Sequence, residues 1–398
     1  MAHLSYVTFT PGKNLTDPTT VTLGSFPYTV TYLGDIPTSR TVNQTAYKAT
    51  ILSDVSITGG FFGQGDGDAA FFMETGAAIY GDLDMIGQGE HYLNNLGLVS
   101  GDVTLGNSSD LIDNYGSIGG DVRMGGGDDY FQNFATDTMR GDVAGTLRMG
   151  SGDDRVLNAG TLDRVFLGDG NDFYSAVQDD LSSDNYDNPA VFASEVRGGN
   201  GNDVMYGGVN NDVFMGGQGR DVLNGHGGND TLMGGNNKDV LRGGDGNDTL
   251  YGDGGKDRLY GGNGDDALFG GTGEDQIDGG RGNDILSGGS GSDVFVFAGN
   301  SGADIITDFD AVRDVVSLPA APLVGGLPAF SDADVLAHLT YTGGNAVLDL
   351  SGLYQDLGLG GMSGFSNADG ITVTFLDVQP GELTGDNFMT PGDVFLVA

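Results

Sequence analysis

The sequence predicts an all-β fold, a parallel β-solenoid in which an N-terminal β-helix continues into a tighter parallel β-roll, with β caps at both ends. Three observations carry this. A nine-residue unit repeats without a gap from Gly198 to Val296, with Asp always at its sixth position and an apolar residue always at its eighth. A looser repeat of strand and turn precedes it over residues 57–175. The composition agrees: 74 of the 398 residues are Gly, and of 56 acidic residues only Glu74, Glu90, Glu195, Glu274 and Glu382 are not Asp. A solvated acidic surface mixes both acids, whereas a tight turn selects the shorter carboxylate.

From the N-terminus, residues 1–56 are rich in Thr, Val and Tyr and alternate as strands do, as in Tyr6-Val-Thr-Phe-Thr and Tyr28-Thr-Val-Thr-Tyr. They suit a β cap over the first coil, whose bare edge would otherwise recruit other chains. Residues 57–175 contain Gly101-Asp-Val-Thr-Leu-Gly, Gly120-Asp-Val-Arg-Met-Gly, Gly145-Thr-Leu-Arg-Met-Gly and Asp163-Arg-Val-Phe-Leu-Gly, each leading into a turn. Those turns end in Asp110, Asp129, Asp154 and Asp172, spaced close to one coil, so this stretch reads as an irregular parallel β-helix with a repeat-like half-turn on one side. His91 stands at the equivalent place in Gly87-Gln-Gly-Glu-His91. Residues 176–197 interrupt the period and read as an excursion loop and junction.

The eleven units of residues 198–296 place Asp203, Asp212, Asp221, Asp230, Asp239, Asp248, Asp257, Asp266, Asp275, Asp284 and Asp293 at the sixth position. Each unit has two halves. Gly-Gly-x-Gly-x-Asp is a turn whose glycines can take positive φ and expose backbone carbonyls. The x-apolar-x tail is a minimal strand whose single inward side chain only neighbouring coils can bury. Two units make one flattened coil, and stacking brings the Asp turns into register. Carbonyls and carboxylates on adjacent turns form an all-oxygen cage, which suits Ca²⁺ better than the rigid octahedron of Mg²⁺. On the β-helix, Asp110, Asp129, Asp154 and Asp172 are candidate Ca²⁺ ligands of the same kind, with turn-capping by hydrogen bonds as the alternative. His91 would break that row.

The block resembles the nonapeptide repeats of the RTX family, G-G-x-G-x-D-x-U-x with U apolar. The resemblance implies a Ca²⁺ between each turn and the turn two units on, hence roughly nine ions in the roll. Asn210 and Asn237 replace the fourth-position Gly, and His226 and Asp253 the second. Residues 297–398 are similar to the flanks of that family: Ala303-Asp-Ile-Ile-Thr-Asp-Phe309 resembles the segment that closes such rolls, with Asp304 echoing the sixth position. Gly344-Asn-Ala-Val-Leu-Asp-Leu350 and Ile371-Thr-Val-Thr-Phe-Leu-Asp-Val resemble its capping strands. Glu382-Leu-Thr-Gly-Asp-Asn-Phe388 and the end Asp393-Val-Phe-Leu-Val-Ala398 look like a type I secretion signal, which implies the type I secretion machinery as a partner. Met1–Thr8 lacks a charged start followed by an apolar run, so no cleavable signal is expected there.

Several classes are excluded. A net charge of −40 opposes nucleic-acid binding, no apolar run is long enough for a transmembrane segment, and without Cys there are no disulfides. Four histidines without an i, i+4 pair exclude a zinc-protease helix, and no Gly-x-Ser-x-Gly elbow occurs. Arg123 and Arg148 occupy equivalent places before Met124-Gly125 and Met149-Gly150. Stacked Arg beside metal-bound Asp resembles polysaccharide lyases and epimerases, while the plainer reading is Arg neutralising neighbouring carboxylates. Absence of Trp, a usual sugar-stacking residue, weighs against the enzyme. A membrane-active toxin lacks its amphipathic segment.

Residues 198–296 carry 15 Asp and one Glu against six Lys and Arg. Without metal, stacked carboxylates repel and one apolar residue per strand cannot offset the chain entropy. The block is expected to be unfolded where calcium is scarce and to fold outside the cell. No catalytic site is expected. The function this points to is an extracellular, calcium-binding structural protein of a bacterial cell surface (an S-layer, matrix fibre or adhesive component). It would assemble as a homo-oligomer or lattice, with cell-surface polysaccharide as a further partner. The alternative is a β-helix lyase or epimerase acting on an acidic polysaccharide.

Overall fold

The computed structural model describes residues 68–135, 140–176, 192–297, 301–318, 332–356 and 372–389, and the backbone of the strands between residues 5 and 65. The chain forms two compact units, Met1–Val209 and Asn210–Ala398. Each is a parallel β-solenoid.

In the first unit a coil has three strands. One coil runs His91–Asn95, Leu98–Val99 and Val103–Thr104, and the next Leu111–Asn114, Ser117–Ile118 and Val122–Gly126. They pair in parallel, with Tyr92 opposite Leu111, Leu98 opposite Ser117 and Val103 opposite Val122. Alternation turns every second side chain inward, so Leu93, Ile112, Phe131, Val156 and Tyr174 form one fully buried column and Leu83, Val103, Val122, Leu147 and Val165 another. Each such side chain contributes about 1.5–3 kcal/mol of burial. The earliest strands pair the same way, Ser5–Phe9 on Tyr28–Tyr32 on Tyr47–Ile51 on Ala69–Met73, so parallel coiling begins within the stretch read as a cap. Most of the excursion-loop residues, 177–191, lie outside the described residues. Strand Phe192–Asn200 rejoins the stack on Thr161–Asp169.

The second unit has two strands per coil and an 18-residue period. Its front sheet stacks Leu223, Leu241, Leu259, Ile277 and Phe295, and its back sheet Phe214, Leu232, Leu250, Leu268, Leu286 and Ile306. All are fully buried, each being the inward-facing residue of its strand. The strand pairing changes near the C-terminus. Thr372–Phe375 lies parallel on Ala303–Ile306, then Asn345–Asp349 and Leu339–Thr342 add in antiparallel order around a Gly343–Gly344 turn. Two short helices, Asp332–Ala337 and Leu350–Asp356, accompany these strands and bury Val335, Leu350 and Leu353. Phe388–Met389 pairs with Val315–Ser317, so the Glu382–Phe388 segment is built into the fold, whereas Asp393–Ala398 lies outside the described residues. Among the described residues, no helix is long and apolar enough to cross a membrane.

Candidate metal centres on the turn edges

Each turn of the second unit follows one strand and precedes the next, so its Asp falls on one of two edges. On one edge the backbone N–H of Asp230 donates to Asp248 Oδ1, Asp248 to Asp266, Asp266 to Asp284 and Asp284 to Asp304, at 2.8–2.9 Å. The other edge repeats this from Asp221 through Asp239, Asp257, Asp275 and Asp293 to Asp314, at 2.7–3.0 Å. The step from coil to coil is two units on both edges. One carboxylate oxygen of each acid is thus spent on sealing the coil before it.

In nine of these acids the other oxygen has nothing to hold. Oδ2 of Asp230, Asp239, Asp248, Asp257, Asp266, Asp275, Asp284, Asp293 and Asp304 is buried without a hydrogen-bond partner. All sixteen acids singled out from the sequence are at most 2% exposed. Oδ2 turns toward the first glycine of its own unit: a Cβ on Gly243 would strike Asp248 Oδ2, so glycine makes room for the carboxylate. Further along the turn, Gly244 and Gly246 take φ of +121° and +132°. His226, Asn237 and Asp253 adopt positive φ at 73°, 80° and 66°, so these three substitutions preserve the turn. Gly208 and Asn210 do not adopt it, and Asp212 Oδ2 is not among the unpartnered oxygens. That turn departs from the cradle geometry of its neighbours. His226 is half-buried, not exposed as a spare turn residue would be, and burial lowers its pKa.

A buried unpartnered carboxylate is held at high energy. Burial, reinforced by the charges of stacked neighbours, pushes Asp230, Asp239 and Asp304 up to about 8, and Asp257 and Asp266 to about 7. Asp284 and Asp293 rise to about 6 by the same cause. Either protons or cations must neutralise such a stack. Among the described residues no three His, Cys, Asp or Glu side chains converge on one point. A cation here would therefore add backbone carbonyls to its carboxylates, an all-oxygen set that fits calcium and offers nothing to a nitrogen- or sulfur-seeking metal.

The first unit repeats the pattern on one edge, where Asp110, Asp129, Asp154 and Asp172 each donate a backbone N–H to the next acid of the row, ending on Asp203. Oδ2 of Asp129, Asp154 and Asp172 is again buried and unpartnered. Burial pushes Asp129 up to about 8, Asp154 to about 7 and Asp172 to about 6. Asp110 differs. Its Oδ1 accepts the His91 backbone N–H at 2.7 Å and faces His91 Nδ1 at 2.9 Å, and its Oδ2 accepts the Gly106 N–H at 3.1 Å. Both oxygens are used, as the turn-capping alternative expects at Asp110. Asp314 ends the roll's second edge in the same way, its two oxygens accepting N–H groups of Asp293 and Asp310.

Two ladders were not legible in the sequence. Asn95, Asn114, Asn133 and Asn158 stack in the first unit at 2.8–3.0 Å, each side-chain amide donating to the next carbonyl, and all are buried. Asp82, Asp102 and Asp121 form a third column, in which Asp102 N–H donates to Asp82 and Asp121 N–H to Asp102. Arg123 binds Asp102 and Asp121 at 2.7 and 2.9 Å, and Arg148 binds Asp121 at 2.9 Å. The Thr146 N–H and then these guanidinium groups hold the Asp121 carboxyl below its usual range. Arg148 also stands over Phe166, 5.5 Å from its centroid. The two arginines are engaged with their own column's carboxylates, as the neutralising reading expects.

Residues 197–232, 206–240, 233–268 and 260–295 match the family model of the RTX calcium-binding nonapeptide repeat, in four copies. This stretch therefore consists of calcium-binding RTX repeats. No curated protein matches the chain. Among solved structures it is similar to the solution structure of the AlgE6R3 subunit from the Azotobacter vinelandii mannuronan C5-epimerase, at 21% identity over 45% of this chain and 84% of that one, with a TM-score of 0.17.

Proposed function

We propose that this is a secreted structural protein of a bacterial cell surface, of S-layer, matrix-fibre or adhesive type, that folds on extracellular calcium and then associates with further copies of itself. The roll Asp residues from Asp203 to Asp304 supply its charged ligands. The observation that carries the calcium step is the row of buried, unpartnered Oδ2 atoms on both edges of the second unit. In a calcium-poor compartment those charges oppose folding and leave a threadable chain, which suits export by a type I channel.

Self-association draws support from the back sheet. Its outward columns are Val213, Thr231, Thr249, Ala267, Ile285 and Ile305, and beside them Met215, Met233, Tyr251 and Phe269. Ile285 and Ile305 are exposed, Tyr251 stacks on Phe269 at 5.1 Å, and neither column contains a charge. The front sheet carries Arg242, Arg258 and Asp278 at corresponding places. On a chain of net charge −40 two uncharged columns are where copies repel least, and bound calcium lowers the repulsion elsewhere.

The test is a calcium titration of the full chain followed by circular dichroism and light scattering, with EGTA reversal. Cooperative gain of β structure with growth into regular particles is expected. A chain that folds but stays monomeric in millimolar calcium would remove the assembly, and no gain of structure would remove the calcium reading.

A further inference from the structure

The turns of Asp129, Asp154 and Asp172 lie outside the residues matched to the calcium-binding repeat. We infer that the first unit nevertheless carries its own calcium row, on one edge only, at these three turns, and that the His91–Asp110 pair ends it. Each of the three acids is 2% exposed, has one oxygen spent on the N–H of the preceding acid in the row, and leaves Oδ2 buried without a partner.

The backbone around each is that of the roll. Gly125 and Gly127 take φ of +117° and +110°, Gly150 and Gly152 +121° and +128°, and Gly168 and Gly170 +120° and +145°. These values match Gly244 and Gly246 of the second unit. A hydrogen-bond ladder alone needs only Oδ1. Asn would serve it without a buried charge, and the first unit does use Asn for its other buried ladder. The carboxylate is explained by a cation.

The limits of the row are also visible. At Asp110 a backbone N–H and an imidazole nitrogen occupy one oxygen and the Gly106 N–H the other, so protein groups stand where a metal would. The Asp82–Asp102–Asp121 column meets guanidinium groups, and the Asn ladder is neutral and internally bonded. Neither presents an orphaned oxygen.

The inference rests on the same reading of turn carboxylates as the roll, so both are tested together. Calcium bound per chain is counted by equilibrium dialysis on wild type, on the triple variant D129N/D154N/D172N, and on D239N/D257N/D275N in the roll. Asn keeps the Oδ1 acceptor and removes only the metal-facing oxygen. The first-unit triple variant is expected to lose about three ions, and an unchanged count overturns the inference. Loss of ions from the roll variant with none from the first-unit variant leaves the roll intact and this row refuted. No loss from the roll variant refutes the roll reading instead. Should the triple variant fail to fold in saturating calcium by circular dichroism, D154N alone is expected to lose about one ion, and no loss is equally decisive.

Discussion

Asp257→Asn should act with opposite sign in the absence and presence of calcium. Asp257 Oδ1 accepts the Asp239 N–H at 2.8 Å, and Oδ2 is buried without a partner. Burial raises its carboxyl from 3.8 to about 7. At pH 8 the metal-free fold therefore holds that charge at a cost of about 4 kcal/mol, taking about 1.4 kcal/mol per pKa step. Asn retains the Oδ1 acceptor and removes the charge, but it buries an amide nitrogen without an acceptor, which costs about 1–3 kcal/mol. The metal-free fold should gain about 1–3 kcal/mol. In calcium the sign reverses, because an ion loses a charged ligand and the site weakens. The assay is urea unfolding by circular dichroism at pH 8, in EGTA with a stabilising osmolyte and again in millimolar calcium. A variant less stable than wild type in both media would refute the claim that an uncompensated buried charge opposes the metal-free fold. A variant unchanged in calcium would refute the site.

Three further outcomes are expected. In EGTA the fold should be favoured by acid: the stacked acids have folded-state values near 6 to 8 against 3.8, so the folded chain holds protons the unfolded chain has released. That stability is fully present below about pH 3.8 and is lost as pH rises from there through the folded values of about 6 to 8, so β signal without calcium should fall between about pH 4 and 8, and a rise would contradict the burial. Asn133→Leu should cost about 1–3 kcal/mol by urea unfolding, because it removes the bond from the Asn114 amide at 2.9 Å and the bond to the Asn158 carbonyl at 3.0 Å, leaving them only the Asp142 carbonyl at 3.5 Å and the Gly160 N–H at 3.1 Å. A loss below about 0.5 kcal/mol would show that the ladder is dispensable. Arg148→Ala breaks one half-exposed ion pair and should cost at most about 1 kcal/mol with no change in the calcium count, whereas a fall in that count would link Arg148 to the metal row.

The nine-residue period was sufficient by itself to determine the roll. An invariant Asp and an invariant apolar residue at fixed positions of an unvarying repeat can be satisfied only by coils in register, which is where Leu241, Leu259 and Ile277 stack and Asp239, Asp257 and Asp275 align. His226, Asn237 and Asp253 hold the positive φ of the glycines they replace, whereas Asn210 does not. Where coil length varies, the sequence could propose acids but not say which were free. Asn95, Asn114, Asn133 and Asn158 stand 19, 19 and 25 residues apart, so no fixed period announces them. Asp110 looks like Asp129 in sequence, yet His91 from the preceding coil consumes its oxygen. Arg123 likewise meets Asp102, and Arg148 Asp121, across coils. Hydrogen-bond satisfaction is a property of neighbouring coils, set by how each loop between strands brings the next one into register, and it is the tertiary structure that decides which buried oxygens remain for a metal.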